Sequence, residues 1–248
     1  MRIAIISDIH GNFVALQTVL ADIEREHIDQ IVCLGDVTAD GPQPVETIRG
    51  IKELGCPVVR GNTDEWFFVP QTYDPNSEKE RKLMALLEWA KQKFSPDDIA
   101  FMRTFQPRIE IPLDDGNTLL CFHGSPQSNT GIILATTPDD ELPQRLGDFR
   151  ATVMAGGHTH QQLLRRFHDA TIINPGSVGL PVVAGATPAH DRRPPWSEYA
   201  IIDSHGENFS IEFRRAPLDV KAIMQAGRES GMPEFERWAG SWAGTLYD

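Results

Sequence analysis

Polar side chains with metal-binding donor atoms follow short apolar segments at five places in this 248-residue chain. The segments with their polar ends are IAIISDIHGN, IVCLGD, VVRGNTDE, LLCFHGSP and VMAGGHTH. They end in Asp8, His10, Asp36, Asn62, His123, His158 and His160. In α/β folds, ligand-binding groups gather beyond the carboxyl ends of the strands. The pattern therefore predicts an α/β fold in which these side chains meet, and carboxylate, imidazole and amide donors together suit two divalent metal ions.

The first sixty residues alternate apolar strand segments with amphipathic helix segments: RIAIIS, FVALQTVLADIERE, QIVCLG, PVETIRGIKEL and PVVRG. This order predicts a βαβαβ unit with parallel strands and right-handed crossovers. The second half is rich in strand patterns, in ATVMAG, QLLRRFH, ATIIN, YAIIDS and FSIEFRR. Residues 114–117, with the sequence DDGN between RIEIPL and TLLCFH, predict a hairpin turn.

We predict one domain over residues 1–248, with a helical insertion over about 63–105 and a helical C-terminal tail over about 217–248. The segment KLMALLEWAKQKF is amphipathic at helical spacing, and Ser95-Pro96 is typical of a helix start. Such an insertion could overhang the site.

Composition limits the classes of function. The net charge of −12 argues against broad nucleic-acid binding. No apolar stretch approaches the roughly 20 residues that span a bilayer, and the run over residues 3–6 is too short for the core of a signal peptide. We expect a cytoplasmic protein whose three cysteines are reduced and buried in apolar surroundings.

Each metal-binding pattern is ambiguous by itself. In extended backbone Asp8 and His10 project to the same side, yet such a pair also occurs by chance or as a hydrogen-bonded pair. Asp36 ends an apolar strand, where a carboxylate is costly to bury unless it is paired or metal-bound. An N-cap aspartate would explain that residue equally well.

The remaining candidates have similar alternatives. Asn62 would offer a neutral oxygen to a metal and its amide NH₂ to phosphate, but Gly-Asn is also a common turn. His123 alone would be read as a hydrogen-bonded core residue. His158 and His160 would share one side of an extended backbone, in a metal site or in a structural one. The decisive observation is that all five signals occur at the same end of predicted strands.

Taken together, the motifs D-x-H, G-D, G-N-x-[DE], H-G and G-H-x-H resemble the calcineurin-like metallophosphoesterase superfamily. The chain is most similar to its compact bacterial and archaeal phosphodiesterase branch, the YfcE-like group. The resemblance also includes NPGSVG and runs from residue 1 to about 215. It implies a four-layer α/β/β/α sandwich with two metal ions at the strand ends.

The resemblance also implies a role for each candidate. One ion would be held by Asp8, His10 and His160, the other by Asn62, His123 and His158, with Asp36 as the bridge. Asn62, His123 and Asp36 would be the catalytic residues of a phosphodiesterase in which a metal-bridging hydroxide attacks phosphorus in line. Manganese is the expected metal, with iron, nickel, zinc, cobalt and magnesium left open. A phosphomonoesterase, a nucleotide pyrophosphohydrolase and a non-catalytic scaffold, like a retromer subunit of this superfamily, are the alternatives.

The chain departs from the family at two places. Thr63 stands where most members have a histidine that protonates the leaving group, and threonine cannot act as an acid near neutral pH. The segment GDVTADGP lacks the arginine of the G-D-x-V-D-R-G motif, which counts against protein phosphatases and symmetric diadenosine tetraphosphate hydrolases.

The expected substrate is a small phosphate ester or nucleotide, and the oligomeric state is left open. Asn12, at the start of a predicted helix, and Arg192 and Arg193 are candidate substrate contacts. A solvated loop is the alternative for the two arginines. The aromatic residues 66–68 could stack on a nucleobase, although core packing is the expected role.

Overall fold

The computed structural model describes residues 1–183 and 192–242, which contain two β-sheets. Their strands are β1 (Arg2–Ile6), β2 (Gln30–Cys33), β3 (Ile109–Pro112), β4 (Thr118–Cys121), β5 (Val153–Ala155), β6 (Leu163–Phe167), β7 (Ala170–Asn174), β8 (Trp196–His205) and β9 (Asn208–Pro217). The first sheet has the order β2-β1-β8-β9 and the second the order β3-β4-β5-β7-β6.

Parallel pairing brings the ends of consecutive strands together. In the first sheet β1 is parallel to β2 and antiparallel to β8. In the second sheet β4, β5 and β7 are parallel, with β3 and β6 added antiparallel at the edges. The loops that follow β1 and β2 therefore lie side by side, as do those that follow β4 and β5.

Alternation along β1 shows how the layers pack. Ile3 and Ile5 join the apolar cluster between the two sheets, whereas Ala4 and Ile6 face the helices on the other side. This is the two-residue period of a strand buried on both faces. The inter-sheet cluster also contains Leu119 of β4 and Val153 of β5.

Helices cover the outer faces of both sheets. They are α1 (Phe13–Ile23), α2 (Pro44–Leu54), α3 (Asn62–Glu65), α4 (Glu78–Lys91), α5 (Pro96–Met102), α6 (Leu142–Leu146), α7 (Val220–Ser230) and α8 (Phe235–Gly240), and residues Asp114–Gly116 form a 3₁₀ turn. Helices α1 and α2 pack on the first sheet and α6 on the second. The α/β/β/α sandwich expected from the sequence is confirmed.

Most of the predicted helices and strands are present, but one predicted strand is not. Helix α2 has the predicted bounds, and Ser95 caps α5 with Pro96 in its first turn. The segment PVVRG, predicted as a third strand, makes only single bridges, from Val58 to Cys33 and from Val59 to Gln106. That prediction was wrong, and one reason is that Pro57 has no N–H to donate to a strand ladder.

The insertion and the tail are helical and pack on each other. Leu86 and Trp89 of α4 belong to an apolar cluster with residues of α7 and α8. The last residues of the predicted tail, 243–248, lie outside the described ranges. Within those ranges no helix has the length and apolarity to cross a membrane. Cys33, Cys56 and Cys121 are free thiols, and two of them are buried, whereas Cys56 is partly exposed.

Candidate metal centre

The candidate metal ligands come together in two groups at the strand ends. Asp8, His10 and His160 form one group, and Asp36, His123 and His158 form the other. Within each group the donor atoms lie within 4.8 Å of one another. Each group combines residues that follow strands of the first sheet with residues that follow strands of the second.

Three imidazole rings are held in the tautomer that metal binding requires. The Nδ1 atoms of His10, His123 and His160 each lie 2.8–3.0 Å from a backbone carbonyl oxygen, of Ala39, Leu34 and Leu180 respectively. A carbonyl oxygen only accepts hydrogen bonds, so Nδ1 carries the proton and donates it. Nε2 is thereby the ring atom that faces the site and that a metal ion can bind.

The first group places electron-pair acceptors against one another. His10 Nε2 lies 3.0 Å from His160 Nε2, and Asp8 Oδ1 lies 3.3 Å from His160 Nε2 and 3.8 Å from His10 Nε2. Asp8 Oδ1 is buried without a hydrogen-bond partner. Lone pairs and a carboxylate in such proximity repel unless a proton or a metal ion lies between them. The group therefore fits a divalent metal ion.

Asp36 faces both groups with one oxygen. Its Oδ2 lies 3.4 Å from His123 Nε2 and 3.6 Å from His10 Nε2. Its Oδ1 accepts the Thr63 N–H at 2.9 Å. Asn62 adds a neutral oxygen to the second group, because its Oδ1 lies 3.2 Å from His123 Nε2. This arrangement fits a carboxylate shared by two cations.

The surroundings of Asp36 and Asp8 favour the ionised form of both carboxylates. Burial opposes ionisation of Asp36, but His123, His10 and the Thr63 N–H outweigh it and hold its pKa well below the usual range. Burial is likewise outweighed at Asp8, where His160 is the largest influence that lowers the pKa.

The imidazoles divide into two kinds. Burial, followed by the charge of the nearest imidazole, lowers the pKa of His10 and of His158, which keeps both rings neutral. At His123 burial acts in the same direction, but Asp36 and Asp8 outweigh it and raise the pKa to about 10. Because Nδ1 already donates to Leu34, the additional proton sits on Nε2, where a bound cation would take its place.

Five of the seven candidate ligands lie in left-handed backbone conformation. Their φ angles are 54° for Asp8, 51° for His10, 52° for Asp36, 68° for His158 and 57° for His160. This conformation is uncommon outside glycine and costs on the order of 1 kcal/mol or more for each residue. The expectation of extended backbone at the D-x-H and H-x-H pairs was wrong. His158 and His160 do not share one side but reach different groups.

Asp64 is a supporting residue that the sequence reasoning missed. Its carboxylate accepts backbone N–H groups of Gly61, Asp36 and Val37 at 2.9–3.0 Å, so it ties the Asp36 loop to the Asn62 turn. Burial and the charge of Asp36 raise its pKa to about 7. Gly61 is required nearby, since a Cβ atom there would overlap Asp36. The available signal was its position three residues after Gly61, at N3 of a short helix.

Ser7 and the backbone of His158 support Asp8. Both donate to Asp8 Oδ2, the Ser7 hydroxyl at 2.6 Å and the His158 N–H at 3.0 Å. Only Oδ1 is then left for a metal. Gly157 allows this contact, because a Cβ atom at that position would overlap Ser7 Oγ.

The three candidate substrate-binding residues differ in their exposure and in their hydrogen-bond partners. Asn12 is fully buried: its amide donates to Gly179 O at 3.0 Å and its oxygen caps α1 at Ala15 N. Both polar atoms have partners within the protein, and a role of Asn12 in substrate binding stays a prediction. Arg193 is directed at the protein, with Nη1 2.9 Å from Leu180 O. Arg192 is exposed and forms a bridge with Val183, so its role in substrate binding stays a prediction.

The aromatic residues after the Asn62 turn pack within the protein. Phe67 is buried and meets Phe94 edge to face at 5.0 Å between ring centroids. Phe68 lies beneath the guanidinium groups of Arg60 and Arg103. These contacts agree with the packing role expected for Phe67 and Phe68.

Two cavities differ in their relation to the candidate ligands. A cavity of about 280 Å³ adjoins the Asn62 and His123 loops and is lined by Arg60, Arg108 and Ser125, among others. A larger one of about 520 Å³ is lined by Thr118 and Thr152, at the opposite ends of β4 and β5. The smaller cavity is therefore the one that could receive part of a substrate.

The comparisons with known proteins agree with this geometry. The model of the calcineurin-like phosphoesterase superfamily domain matches residues 1–205. The protein MJ0912 of Methanocaldococcus jannaschii is 29% identical over 250 residues, which cover 94% of each chain. A metallophosphoesterase structure from Sphaerobacter thermophilus is 26% identical with a TM-score of 0.74, covering 97% of this chain and 99% of that one. The structure of protein PH1004 from Pyrococcus horikoshii OT3, 22% identical with a TM-score of 0.79 over 96% of each chain, shares the fold.

Proposed function

The chain belongs to the calcineurin-like phosphoesterase superfamily, and we propose that it is a dinuclear metal-dependent phosphoesterase that acts on phosphodiesters. The observation that carries the proposal is the convergence of His10 Nε2, His160 Nε2 and the unpartnered Asp8 Oδ1 within 3.8 Å. These acceptors repel one another unless a proton or a metal ion lies between them, and the unpartnered Asp8 Oδ1 is left for a metal ion to bind.

We assign the residues of each group to one ion. Asp8, His10 and His160 would hold the first ion, and Asn62, His123 and His158 the second, with Asp36 between them. When bound, two divalent cations would neutralise the carboxylates, activate a water molecule for in-line attack on phosphorus and hold the non-bridging oxygens. Manganese is the first ion to test, because several metals suit this mixed nitrogen and oxygen set.

The chain's own groups would orient the substrate. With Asn62 Oδ1 directed at the second group, the amide nitrogen is the part of that side chain that can donate to a phosphate oxygen. Arg60, Glu65 and Arg108 line the adjoining cavity. Glu65 pairs with Arg60, so Arg108 is the guanidinium whose charge favours a small phosphate ester or nucleotide with a polar substituent on that side.

The absence of an acid at position 63 predicts a preference for good leaving groups. Thr63 is 3% exposed and its hydroxyl has no hydrogen-bond partner. Because a hydroxyl cannot protonate a leaving group near neutral pH, the rate should depend on the stability of the leaving group itself. Activated diesters should therefore be cleaved faster than alkyl monoesters.

Hydrolysis of bis(p-nitrophenyl) phosphate tests the proposal. We expect activity that is abolished by a chelator and restored by Mn²⁺, and that falls by orders of magnitude in His158→Ala. His205→Ala is the matched control, because this exposed histidine pairs with Asp203 away from the site. No hydrolysis with Mn²⁺, Fe²⁺, Ni²⁺, Zn²⁺, Co²⁺ or Mg²⁺, at confirmed occupancy, would contradict the phosphodiesterase and favour a scaffold.

A panel of monoesters and dinucleotides distinguishes the other hydrolases. Faster turnover of a monoester or a pyrophosphate bond than of any diester would replace the proposed substrate class but leave the metal site in place.

A further inference from the structure

His160 is the most exposed ligand of the first group, and its orientation depends on a loop that contributes no candidate ligand. Its side chain is 16% exposed, against 0% for Asp8 and 4% for His10. Its Nδ1 is held by the carbonyl oxygen of Leu180, which lies in the loop between β7 and β8, six residues beyond the end of β7. The position of this carbonyl therefore determines where His160 Nε2 points.

A second donor fixes the same oxygen. Leu180 O accepts from His160 Nδ1 at 2.8 Å and from Arg193 Nη1 at 2.9 Å. A carbonyl oxygen has two lone pairs, so these two bonds use both and define its direction. Removal of one donor would leave the carbonyl free to rotate away from the imidazole.

Arg193 is in turn anchored to the C-terminal helix. Its Nε donates to Ser241 Oγ at 3.0 Å, and the Ser241 hydroxyl donates to Trp238 O of α8 at 2.7 Å. Hydrogen bonds therefore run without interruption from a candidate metal ligand through Leu180, Arg193 and Ser241 to α8.

Apolar packing follows the same route. The Leu180 side chain is 4% exposed and belongs to the cluster that contains Ile223 of α7, Trp238 of α8 and Leu86 of α4. Apart from His160 itself, the groups that hold the carbonyl and the side chain of Leu180 are not candidate ligands.

We propose that Arg193 is a positioning residue for the group of Asp8, His10 and His160, and that through it helix α8 sets the affinity of this group for its metal ion. The inference rests on the proposed function, since it needs a metal ion at that group. The planar guanidinium suits the role because its Nε and Nη1 donate in fixed directions to two acceptors at once, which the single ammonium of lysine does poorly.

The test measures metal binding by calorimetric titration of the chelator-treated protein with Mn²⁺. Arg193→Met keeps the length of the side chain and removes both donors. We expect one of the two ions to bind about 10–100-fold more weakly, the usual effect of losing a group that orients a metal ligand, while the other binds as before. Arg193→Lys should recover part of the affinity, and Ser241→Ala should weaken the same ion by a smaller factor.

Arg165→Met is the matched control. Arg165 Nη1 donates to backbone carbonyls of Leu134 and Thr137, so it has the same kind of contacts away from the site, and its loss should leave both affinities unchanged. His10→Ala identifies the affected ion: in that background Arg193→Met should cause no further loss at the ion that remains.

Three outcomes overturn the inference. The first is an Arg193→Met variant that binds both ions as tightly as the parent, and the second is one that binds both ions equally more weakly. If Arg193→Met does not fold, Arg193→Lys and Ser241→Ala replace it. The third outcome is then that each of these two variants has the metal affinities of the parent. A parent that binds no metal contradicts the proposed function instead, so the two failures are distinguishable.

Discussion

At the scale of single residues, Asp36 should affect both metal groups. Its Oδ2 lies 3.4 Å from His123 Nε2 and 3.6 Å from His10 Nε2. Asp36→Asn removes a negatively charged ligand from both metal sites, so it should lower the metal occupancy of both. Elemental analysis of the purified variant measures this. The control is Asp40→Asn, because Asp40 lies near His10 but belongs to neither group. Full occupancy at both sites in Asp36→Asn would exclude Asp36 as the bridge.

Thr63 gives a second prediction at this scale. Its hydroxyl is buried without a partner, so Thr63→Val, which keeps the shape and removes the hydroxyl, should leave the free energy of unfolding unchanged or slightly higher. The dependence of rate on leaving-group pKa should also be unchanged, because the hydroxyl is not an acid at neutral pH. Urea denaturation and a series of aryl diesters measure the two effects. A steeper dependence in Thr63→Val would show that the hydroxyl assists the leaving group.

The donor residues of the candidate site could be predicted from the sequence, whereas the backbone geometry that holds them could not. Asp8, Asp36 and His123 follow apolar strands, and local pattern is enough to find such positions. The left-handed backbone at Asp8 depends on contacts with distant loops, such as the bond from its N–H to Gly35 O. The position of Asp64 indicates a helix cap, but its bonds to the Asp36 loop could not be predicted, because those two partners lie 27 and 28 residues away.

At the scale of secondary structure, prediction succeeded where the signals are local. The capping residue, proline and apolar spacing of α5 all lie within a few residues of one another. Helix α2 likewise has a proline in its first turn and apolar residues at helical spacing. The segment over 57–61 failed because strand formation needs a partner along its length, and this segment finds one only at single positions. Its apolar residues are still buried, which is why its pattern resembles that of a strand.

The N-terminus of α5 gives a prediction for stability. Asp98 accepts the Ser95 N–H at 2.9 Å and the Ser95 hydroxyl at 2.7 Å, and pairs with Arg49 at 3.4 Å. Asp98→Ala should therefore lower the free energy of unfolding by about 1 kcal/mol at pH 7. Asp97→Ala, which changes an exposed carboxylate in the same turn, is the control and should cost less.

The effect of Asp98 should depend on pH in a defined direction. Burial alone would raise the pKa of its carboxyl, but the bonds from Ser95 and Arg49 outweigh burial and lower it below 3.8. A lowered pKa in the folded state stabilises the protein above the unfolded-state value, and this stabilisation is lost as the pH falls through the folded-state value. Urea denaturation should show the difference between parent and Asp98→Ala shrinking below about pH 4. A difference that grows in acid would contradict this.

At the scale of the whole molecule, the candidate centre joins the two sheets. Asp8, His10 and Asp36 follow strands of the first sheet, whereas His123, His158 and His160 follow strands of the second. Each group draws on both. Metal binding would therefore connect the halves of the sandwich, in addition to the apolar cluster between them.

Metal removal should consequently lower the melting temperature. An ion that binds only the folded chain at 100 times its Kd adds about 2.7 kcal/mol to the free energy of unfolding, which for a chain of this size raises Tm by about 5–10 °C. We expect a shift of this size when Mn²⁺ is added to chelator-treated protein in a calorimetric scan. Asp36→Asn should show a much smaller shift, because it impairs both groups, whereas His205→Ala should respond like the parent. An unchanged Tm in the parent, with two ions confirmed bound, would mean that the unfolded chain binds them equally well, and that the folded arrangement of the two sheets contributes nothing to the site.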